Sequence, residues 1–436
     1  MHELIKNAKG KVDQAELYWK RTHSIDVSYE NNQLQEIAED DLSSVAVRVI
    51  HEGKLGSTFA VSPEQEGLVE QAKTAAANGD KATFSFAPDG DYARVEPPNT
   101  ETAKLTSEDL VSLCETTRDA IQSKRDDLAL SISAQMEKES LSIETTEGAQ
   151  AHHETAQSVL VISAPIKGAG IGVYKLGVST QPQTTPTGLI DEFLEWYGWT
   201  GKTSTPATGR MPVLFAPEAS FLYLLPLWAG LEGNAIEKKT SPIVDRTGEP
   251  ILSENLTILE DSVSPGGVGA RPFDDEGVPC RRRPVVENGV LKGFLLDQRT
   301  ATAIGQTSTG NASKRELFGG GTETKPSPWP LRWEIPAGTK SYRNIMAGLD
   351  EALLVYYGMG FHSGNYPQGQ FSIQAIGFHI KGGEVVGRLE NTMISANIYE
   401  DFKNVSAISA ERGHPLGFIN GVIPYVLVDS IQVAGS

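Results

Sequence analysis

The short connections between predicted strands in the N-terminal half are the feature that most constrains the fold of this chain. The β-forming segments Ser43–His51 and Leu55–Val61 flank only three residues, a spacing typical of an antiparallel hairpin. Further strands are predicted over Ala15–Tyr29, Leu128–Gln135, Ser140–Thr146, Val159–Pro165 and Ile171–Val178. Helical patterns occupy Leu4–Ala8, Ser62–Asn78 and Ser107–Ser123, with Ser62 as the predicted N-cap of the second. Helices alternating with clustered hairpins indicate the α+β class.

The length of 436 residues exceeds what one ordinary core organises, and two domains are the expected arrangement. A loose segment rich in Thr, Pro and Gln, Ser179–Thr187, marks the predicted boundary. We therefore expect an N-terminal α+β domain over residues 1–185 and a β-rich C-terminal domain over residues 186–436. The C-terminal half is dense in Gly and Pro, and its best helical pattern is Pro217–Glu232.

Charge and composition exclude several classes of function. A net charge of −18 opposes a phosphate backbone, and direct nucleic-acid binding is not expected. The longest nearly apolar run, Phe221–Leu231, is far shorter than the roughly 20 residues that span a bilayer, and no membrane segment is predicted. Two cysteines, Cys114 and Cys280, rule out a disulfide framework, and no secretory signal is visible. These features predict a cytoplasmic protein.

The common catalytic motifs are missing from the sequence. No G-x-S-x-G nucleophile elbow and no G-x-x-x-x-G-K-[ST] phosphate loop occurs. None of the eight histidines stands four residues from another, the spacing with which one helix face holds zinc.

An acidic segment, Asp274-Asp275-Glu276 followed by Gly277, is the most charged local feature. Three carboxylates beside a glycine suit a cleft wall, an oxygen-ligand cation site or acid–base chemistry. The alternative interpretation is a solvated turn before a strand at Arg283–Glu287. Both interpretations stay open at the level of sequence.

The stretch 231–315 resembles the signature region of the TldD/PmbA (modulator of DNA gyrase) family. Its pieces occur in order: LEGNAIEKKTSP, TGEP, FDDEGVP, ENGVLKGFLLD and STGN. Two further segments, AVRVIHEGKLGSTFA near the N-terminus and IPYVLVDSIQVAG at the C-terminus, are also similar to the family. The resemblance covers most of the chain and implies a two-domain fold of the PmbA/TldD type.

Zinc-bearing members of the family carry H-E-x-x-x-H on the helix that ends in a LEGD-like sequence, and a cysteine near the C-terminus. Aligned on Leu231-Glu232-Gly233-Asn234, the three motif positions here are Leu224, Leu225 and Ala229. None of these side chains binds zinc, and no cysteine follows Cys280. The resemblance therefore places the chain in the PmbA/TldE-like branch, which lacks the zinc motif, and no metal or catalytic residue of its own is expected.

The same resemblance implies a role for the chain. A member of this branch pairs with a TldD-type HExxxH subunit, which holds the zinc, and the two form a chamber in which an unfolded peptide is cut. Asp274, Asp275 and Glu276 are the residues we expect to face that chamber and bind substrate.

Two alternatives differ from this expectation in class. The chain could form a homodimer that binds peptides or small ligands without any peptidase role. It could also be a divergent hydrolase that assembles a metal site from scattered residues such as His362, His379 and His414.

Overall fold

A computed structural model describes residues 2–168 and 170–435 of the chain. The N-terminal half forms a six-stranded antiparallel sheet in the order β3-β2-β1-β4-β5-β6. Its strands are β1 (Gln14–Glu30), β2 (Gln33–His51), β3 (Lys54–Ala60), β4 (Ser131–Thr145), β5 (Gln150–Ala164) and β6 (Val173–Ser179). The predicted hairpin is confirmed, since β2 and β3 pair from Val45 opposite Ala60 to His51 opposite Lys54.

Several of the predicted elements differ from those observed. Most of the segments Leu128–Gln135 and Ser140–Thr146 belongs to one continuous strand, β4. The polar residues between the two segments also pair with β1, so the strand is not interrupted there. Strand β2 begins at Gln33, ten residues before the predicted start. The helix expected over Ser62–Asn78 spans only Leu68–Ala76. It follows Gly67, whose φ of 78° is left-handed, so Ser62 is not its N-cap.

The C-terminal half is built from many short strands around one large sheet. That sheet runs β11-β10-β9-β16-β22-β8-β17-β18-β19-β7, with β20 joined to β18 and β22, and β21 to β22; β12–β15 and β13–β14 form two small pairs. The strands are β7 (Thr203–Ser204), β8 (Gly209–Phe215), β9 (Ile258–Asp261), β10 (Arg282–Glu287), β11 (Val290–Leu291), β12 (Ala312–Ser313), β13 (Arg315–Glu316), β14 (Gly319–Gly320), β15 (Ser327–Pro328), β16 (Trp333–Glu334), β17 (Glu351–Met359), β18 (Gln370–Lys381), β19 (Glu384–Leu389), β20 (Thr392–Asn397), β21 (Val405–Gly413) and β22 (Gly421–Gly435).

Helices connect and cover the two sheets. They are α1 (His2–Ala8), α2 (Leu68–Ala76), α3 (Ser107–Gln122), α4 (Thr187–Trp199), α5 (Phe221–Leu231), α6 (Gly233–Glu237), α7 (Gln298–Ala303), α8 (Tyr342–Ala347) and α9 (Ile398–Asp401), with 3₁₀ turns at Thr102–Lys104, Pro217–Ala219, Phe361–Ser363, Tyr366–Gln368 and Phe402–Asn404. Within the described ranges, every helix falls short of the length and hydrophobicity needed to cross a membrane. The strand-rich α+β class predicted from the sequence is confirmed.

Two large hydrophobic clusters organise the molecule. One lies within the C-terminal half around α5. The other is shared: it joins Val27 and Ile162 of the first sheet to Trp196 of α4 and to Phe378 and Tyr425 of the second sheet. The two sheets therefore pack on a common core, and the division at residue 185 stays a prediction.

Candidate functional site

Helix α5 carries Leu224, Leu225 and Ala229, the three positions that align in sequence with a zinc motif. Leu224 and Leu225 are fully buried and Ala229 is only 8% exposed, so all three face the protein interior. The helix is apolar on nearly every side, which is typical of a helix surrounded by core. These positions supply packing atoms and no nitrogen, oxygen or sulfur ligand.

The surroundings of α5 fix it tightly against the second sheet. The Tyr223 ring packs against Phe215 and Phe402, with centroid separations of 5.7 and 4.9 Å. A Cβ on Gly230 would lie 1.9 Å from the Tyr399 hydroxyl oxygen, so a larger residue there would displace the Tyr399 side chain. At the far end, Trp228 Nε1 donates to the carbonyl of Pro328 at 3.0 Å. The helix is held as a rigid part of the core.

The acidic segment is a buried loop, and its interpretation as a solvated turn is wrong. Asp274, Asp275 and Glu276 are at most 3% exposed. One carboxylate oxygen of Asp274 accepts from the N–H groups of Glu276 and Val278, and the other accepts from the N–H of Ala312, at 2.9–3.0 Å. Asp274 therefore closes the turn and ties it to the segment that follows α7.

The other two carboxylates of this loop have different partners. Asp275 forms an ion pair with Arg271 at 2.5 Å and accepts from the N–H of Lys314 at 2.7 Å. Burial alone would raise the pKa of Asp275, but the Arg271 guanidinium and the Lys314 N–H outweigh it and hold that pKa below its ordinary value. Asp275 is accordingly a charged group with an anchored orientation.

Glu276 links the loop to the first sheet through a buried arginine. Arg48 of β2 donates to Glu276 at 3.2 Å and to both oxygens of Glu16 at 2.6 and 2.7 Å. The second Glu276 oxygen accepts from the N–H of Gln298 at 2.8 Å. Burial raises the pKa of Glu276 to about 7, with added repulsion from Asp297 and Glu16 and an opposing effect of Arg48. This cluster joins the two halves of the chain and does not open to solvent.

A polar cleft lies between the first sheet and the loops of the C-terminal half. Its deeper part has a volume of ≈ 240 Å³, and it adjoins a second cavity of ≈ 300 Å³. The sheet side of the deeper part consists of Tyr18, Lys20, Glu137, Glu139, Leu141, His153, Thr155 and Gln157. The opposite side includes Arg271, Asp275, Ser313, Arg315 and Trp329. Asp275 is thus the one member of the predicted acidic trio that reaches the cleft wall.

The cleft is polar because alternate residues of β1, β4 and β5 point toward it. Lys20 pairs with Glu139 at 2.5 Å. Burial, together with the neighbouring Glu139, raises the pKa of Glu137 above its ordinary value. Trp329 is 2% exposed, and its Nε1 has no hydrogen-bond partner within the described part of the chain. The cleft thus offers acids and cations to an extended polar ligand.

The histidines considered from sequence do not form a metal site. His379 is buried between Ser204 at 2.8 Å and Glu351 at 3.1 Å. His414 contacts the carbonyl of Gly421 at 2.9 Å, and His362 is exposed in a 3₁₀ turn. Over residues 2–168 and 170–435, no group of three or more His, Cys, Asp or Glu side chains is arranged to hold a metal ion.

Sequence reasoning missed most of the cleft wall. Glu137 and Glu139 lie in the stretch left between two predicted strands, although their alternate spacing is the signal of one strand face. Arg48 and Glu16, which anchor Glu276, also went unnoticed. They stand on different strands, and nothing local connects them to residue 276.

Comparisons with known proteins identify the family of the chain. The profile of the PmbA/TldA metallopeptidase C-terminal domain matches residues 208–435, and that of PmbA/TldA metallopeptidase domain 1 matches residues 15–79. A Metalloprotease of Methanothermobacter thermautotrophicus is 24% identical over 433 residues, 95% of this chain and 92% of the relative. A Metalloprotease PmbA homolog of Haemophilus influenzae is 25% identical, over 53% of this chain and 47% of the relative.

Solved structures show the same fold. The crystal structure of TldE from Thermococcus kodakarensis superimposes with a TM-score of 0.91 at 25% identity, covering 100% of both chains. A putative modulator of a DNA gyrase from Thermotoga maritima gives a TM-score of 0.87 at 22% identity, with 99% of each chain covered. One family profile alone spans more than half of the sequence. The chain therefore belongs to the PmbA/TldD metallopeptidase family.

Proposed function

We propose that this chain is the metal-free subunit of a cytoplasmic, two-chain zinc peptidase that degrades or processes unfolded peptides. The observation that carries the proposal is the state of helix α5. The positions of the family's zinc motif hold Leu224, Leu225 and Ala229, three buried apolar side chains. Zinc and the catalytic glutamate would then belong to a TldD-type HExxxH partner. The similarity to a TldE structure over the whole chain supports this assignment.

The contribution of this chain would be a wall of the substrate chamber. Its cleft presents both signs of charge, with Asp275 and Glu139 near Lys20 and Arg315. Such a lining suits the main chain of an extended peptide, whose N–H and C=O groups need partners at intervals. Asp275 is the residue of the acidic loop positioned to contact substrate, while Asp274 and Glu276 hold the loop in place.

A metal analysis tests the first part of this proposal. The chain is purified alone and dialysed against buffer with micromolar zinc. Inductively coupled plasma mass spectrometry should then find well below one equivalent of zinc per chain. A full equivalent held by the native chain, and lost on unfolding, would contradict a metal-free role.

Co-expression tests the second part. With the HExxxH family member of the same genome, the chain should co-purify as a stoichiometric complex that cleaves an unstructured fluorogenic peptide. Replacing the glutamate of the partner's motif with glutamine should abolish cleavage while the complex persists. Isolated subunits that each cleave as well as the mixture would contradict the proposal.

A second candidate function is peptide or ligand binding by a homodimer without peptidase activity. It is favoured by the cleft, which the first sheet and the loops of the C-terminal half form between them. Calorimetric titration of the isolated chain with the same unstructured peptide distinguishes the two. Tight binding without any partner, together with a dimer in sedimentation analysis, favours the second candidate.

A further inference from the structure

One edge of the first sheet has a nine-residue stretch that pairs with no further strand in the described parts of the chain. Strand β3 pairs with β2 only over Val45–His51. Residues Glu36–Ser44 of β2, here termed the β2 edge, bond to β1 on one side in continuous register, from Ser28 opposite Glu36 to Lys20 opposite Ser44. No strand in the described parts of the chain lies on the other side. Alternate N–H and C=O groups of these nine residues therefore point outward, free to pair.

The only usual protection of an exposed strand that the β2 edge carries is negative charge. It contains neither Pro, Lys nor Arg, and its pairing with β1 has no bulge. Two large apolar side chains lie on it, with Ile37 49% and Leu42 66% exposed. Ile37 stands opposite the buried Val27, on the face that α3 covers at β1 and β4, and Leu42 stands on the opposite face. Apolar surface on both faces is typical of a strand that a neighbour will flank.

The charge of the β2 edge limits which strand can pair with it. Glu36, Glu39, Asp40 and Asp41 are exposed, and the edge carries no cation. Asp41 is bound by Arg21, and Glu39 lies 3.8 Å from His23, whereas Glu36 and Asp40 make no ion pair with any described residue. An antiparallel pair of two copies centred between residues 38 and 39 would set Glu36 opposite Asp41. Like charges so placed repel, and the edge disfavours a second copy of this chain.

The position of the β2 edge relates it to the cleft. Leu42 and Asp40 share a sheet face with Lys20, whose side chain lines the cleft, because Lys20 pairs with Ser44 and Thr22 with Leu42. A strand added beside β2 would extend the polar sheet that forms the cleft wall. Its own side chains would then stand next to the substrate chamber.

We propose that the β2 edge pairs with an extended, basic strand of the metal-bearing partner subunit, an inference that rests on the proposed function. Main-chain hydrogen bonds supply the affinity, and Lys or Arg side chains opposite Glu36 and Asp40 supply the preference for a partner over a second copy. The assembly is then heteromeric because of the charge on one strand.

Binding to the HExxxH family member tests this pairing. The variant Glu36→Lys/Asp40→Lys should weaken the complex at least about tenfold. The matched variant Glu254→Lys/Glu384→Lys reverses two exposed carboxylates that make no described ion pair elsewhere, and it should bind like the wild type. Equal affinities of the two double variants, measured in low salt, would overturn the edge proposal while the wild-type complex upholds the proposed function.

Hydrogen exchange on the unmodified chain gives a second measurement that does not depend on variant folding. Amides of residues 36–44 should exchange at least about tenfold more slowly in the complex than in the isolated chain. Unchanged exchange there, in a complex that does form, would overturn the proposal. Protection of the same amides by the unstructured peptide alone would assign the edge to substrate instead. Failure of the wild-type chain to form any complex would remove both this inference and the proposed function.

Discussion

At the scale of single residues, the ion pairs of Arg48 and Arg21 have opposite environments although both join β1 to β2. Arg48 lies between Glu16 and Glu276 with its side chain 6% exposed, whereas Arg21 binds Asp41 at the surface. Removing one partner of a buried pair leaves charge that water cannot reach, whereas a surface pair exchanges readily with solvent. Comparing variants of the two arginines therefore tests how burial changes the contribution of an ion pair to the free energy of unfolding.

The Arg48→Met variant should lower the free energy of unfolding by about 3–5 kcal/mol, because two buried carboxylates lose their counter-ion. Arg21→Met should leave the free energy of unfolding close to the wild-type value. Urea denaturation followed by far-ultraviolet circular dichroism measures both. Comparable losses in the two variants would show that Arg48 does not stabilise the cluster more than a surface pair does.

The raised pKa of Glu276, about 7, predicts a pH dependence of stability. In the unfolded chain a glutamate titrates near pH 4.5, so between about 4.5 and 7 the folded state binds more protons. The stabilisation of the folded state by protonated Glu276 is therefore fully present below about pH 4.5 and is lost as the pH rises through 7. Glu276→Gln mimics the protonated form and removes this loss.

We compare the free energy of unfolding of Glu276→Gln with that of the wild type at each pH. The difference, variant minus wild type, should increase by up to about 3 kcal/mol between pH 4.5 and pH 8. Urea titrations of both proteins across this range measure the difference. A difference that stays constant with pH, or that falls as the pH rises, would show that Glu276 is ionised in the folded chain throughout.

At the scale of elements, helix α5 is a buried, apolar part of the core. Leu224→Ala should lower the free energy of unfolding by about 2–5 kcal/mol, since the side chain is fully buried and its removal leaves a cavity. Leu42→Ala, at a 66% exposed position, should change it little. Equal effects in denaturant titration would contradict the role assigned to α5.

Elements with strong local periodicity were predictable from the sequence. Helix α3 was expected over Ser107–Ser123 and is observed over Ser107–Gln122, with Thr106 and Asp109 forming a capping box. A helix was expected over Pro217–Glu232, and α5 is observed over Phe221–Leu231 after a 3₁₀ turn at Pro217–Ala219. In both, the local pattern and the tertiary environment favour the same structure.

Features that depend on distant partners were not predictable. The middle of β4, Glu137–Ser140, has the composition of a loop, and it is a strand because β1 and β5 pair with it on both sides. The burial of the acidic loop likewise depends on Arg48, 228 residues from Glu276 in sequence. From local composition, three consecutive acidic residues are expected at the solvent-exposed surface. They are stable in the interior only because distant residues supply their hydrogen-bond and ion-pair partners.

At the scale of the whole molecule, the shared hydrophobic cluster joins the two predicted domains. The ring of Tyr174 in β6 packs on that of Tyr356 in the second sheet, with centroids 5.8 Å apart. The Tyr174 hydroxyl of β6 donates to the carbonyl of Tyr356, and the Tyr356 hydroxyl donates to the carbonyl of Gly172, both at 3.2 Å. Chains of this length commonly unfold domain by domain, but here each half on its own exposes its side of the shared cluster to water.

The full chain should therefore unfold in one cooperative transition despite its 436 residues. Scanning calorimetry measures this, through agreement between the calorimetric and van't Hoff enthalpies. A fragment of residues 1–185 provides the control: without Trp196, Phe378 and Tyr425, its side of the shared cluster faces water, and it should bind a hydrophobic dye that the full chain excludes. Two resolved transitions, or a fragment that unfolds cooperatively by itself, would show that the halves are energetically independent and that their contact is only a docking surface.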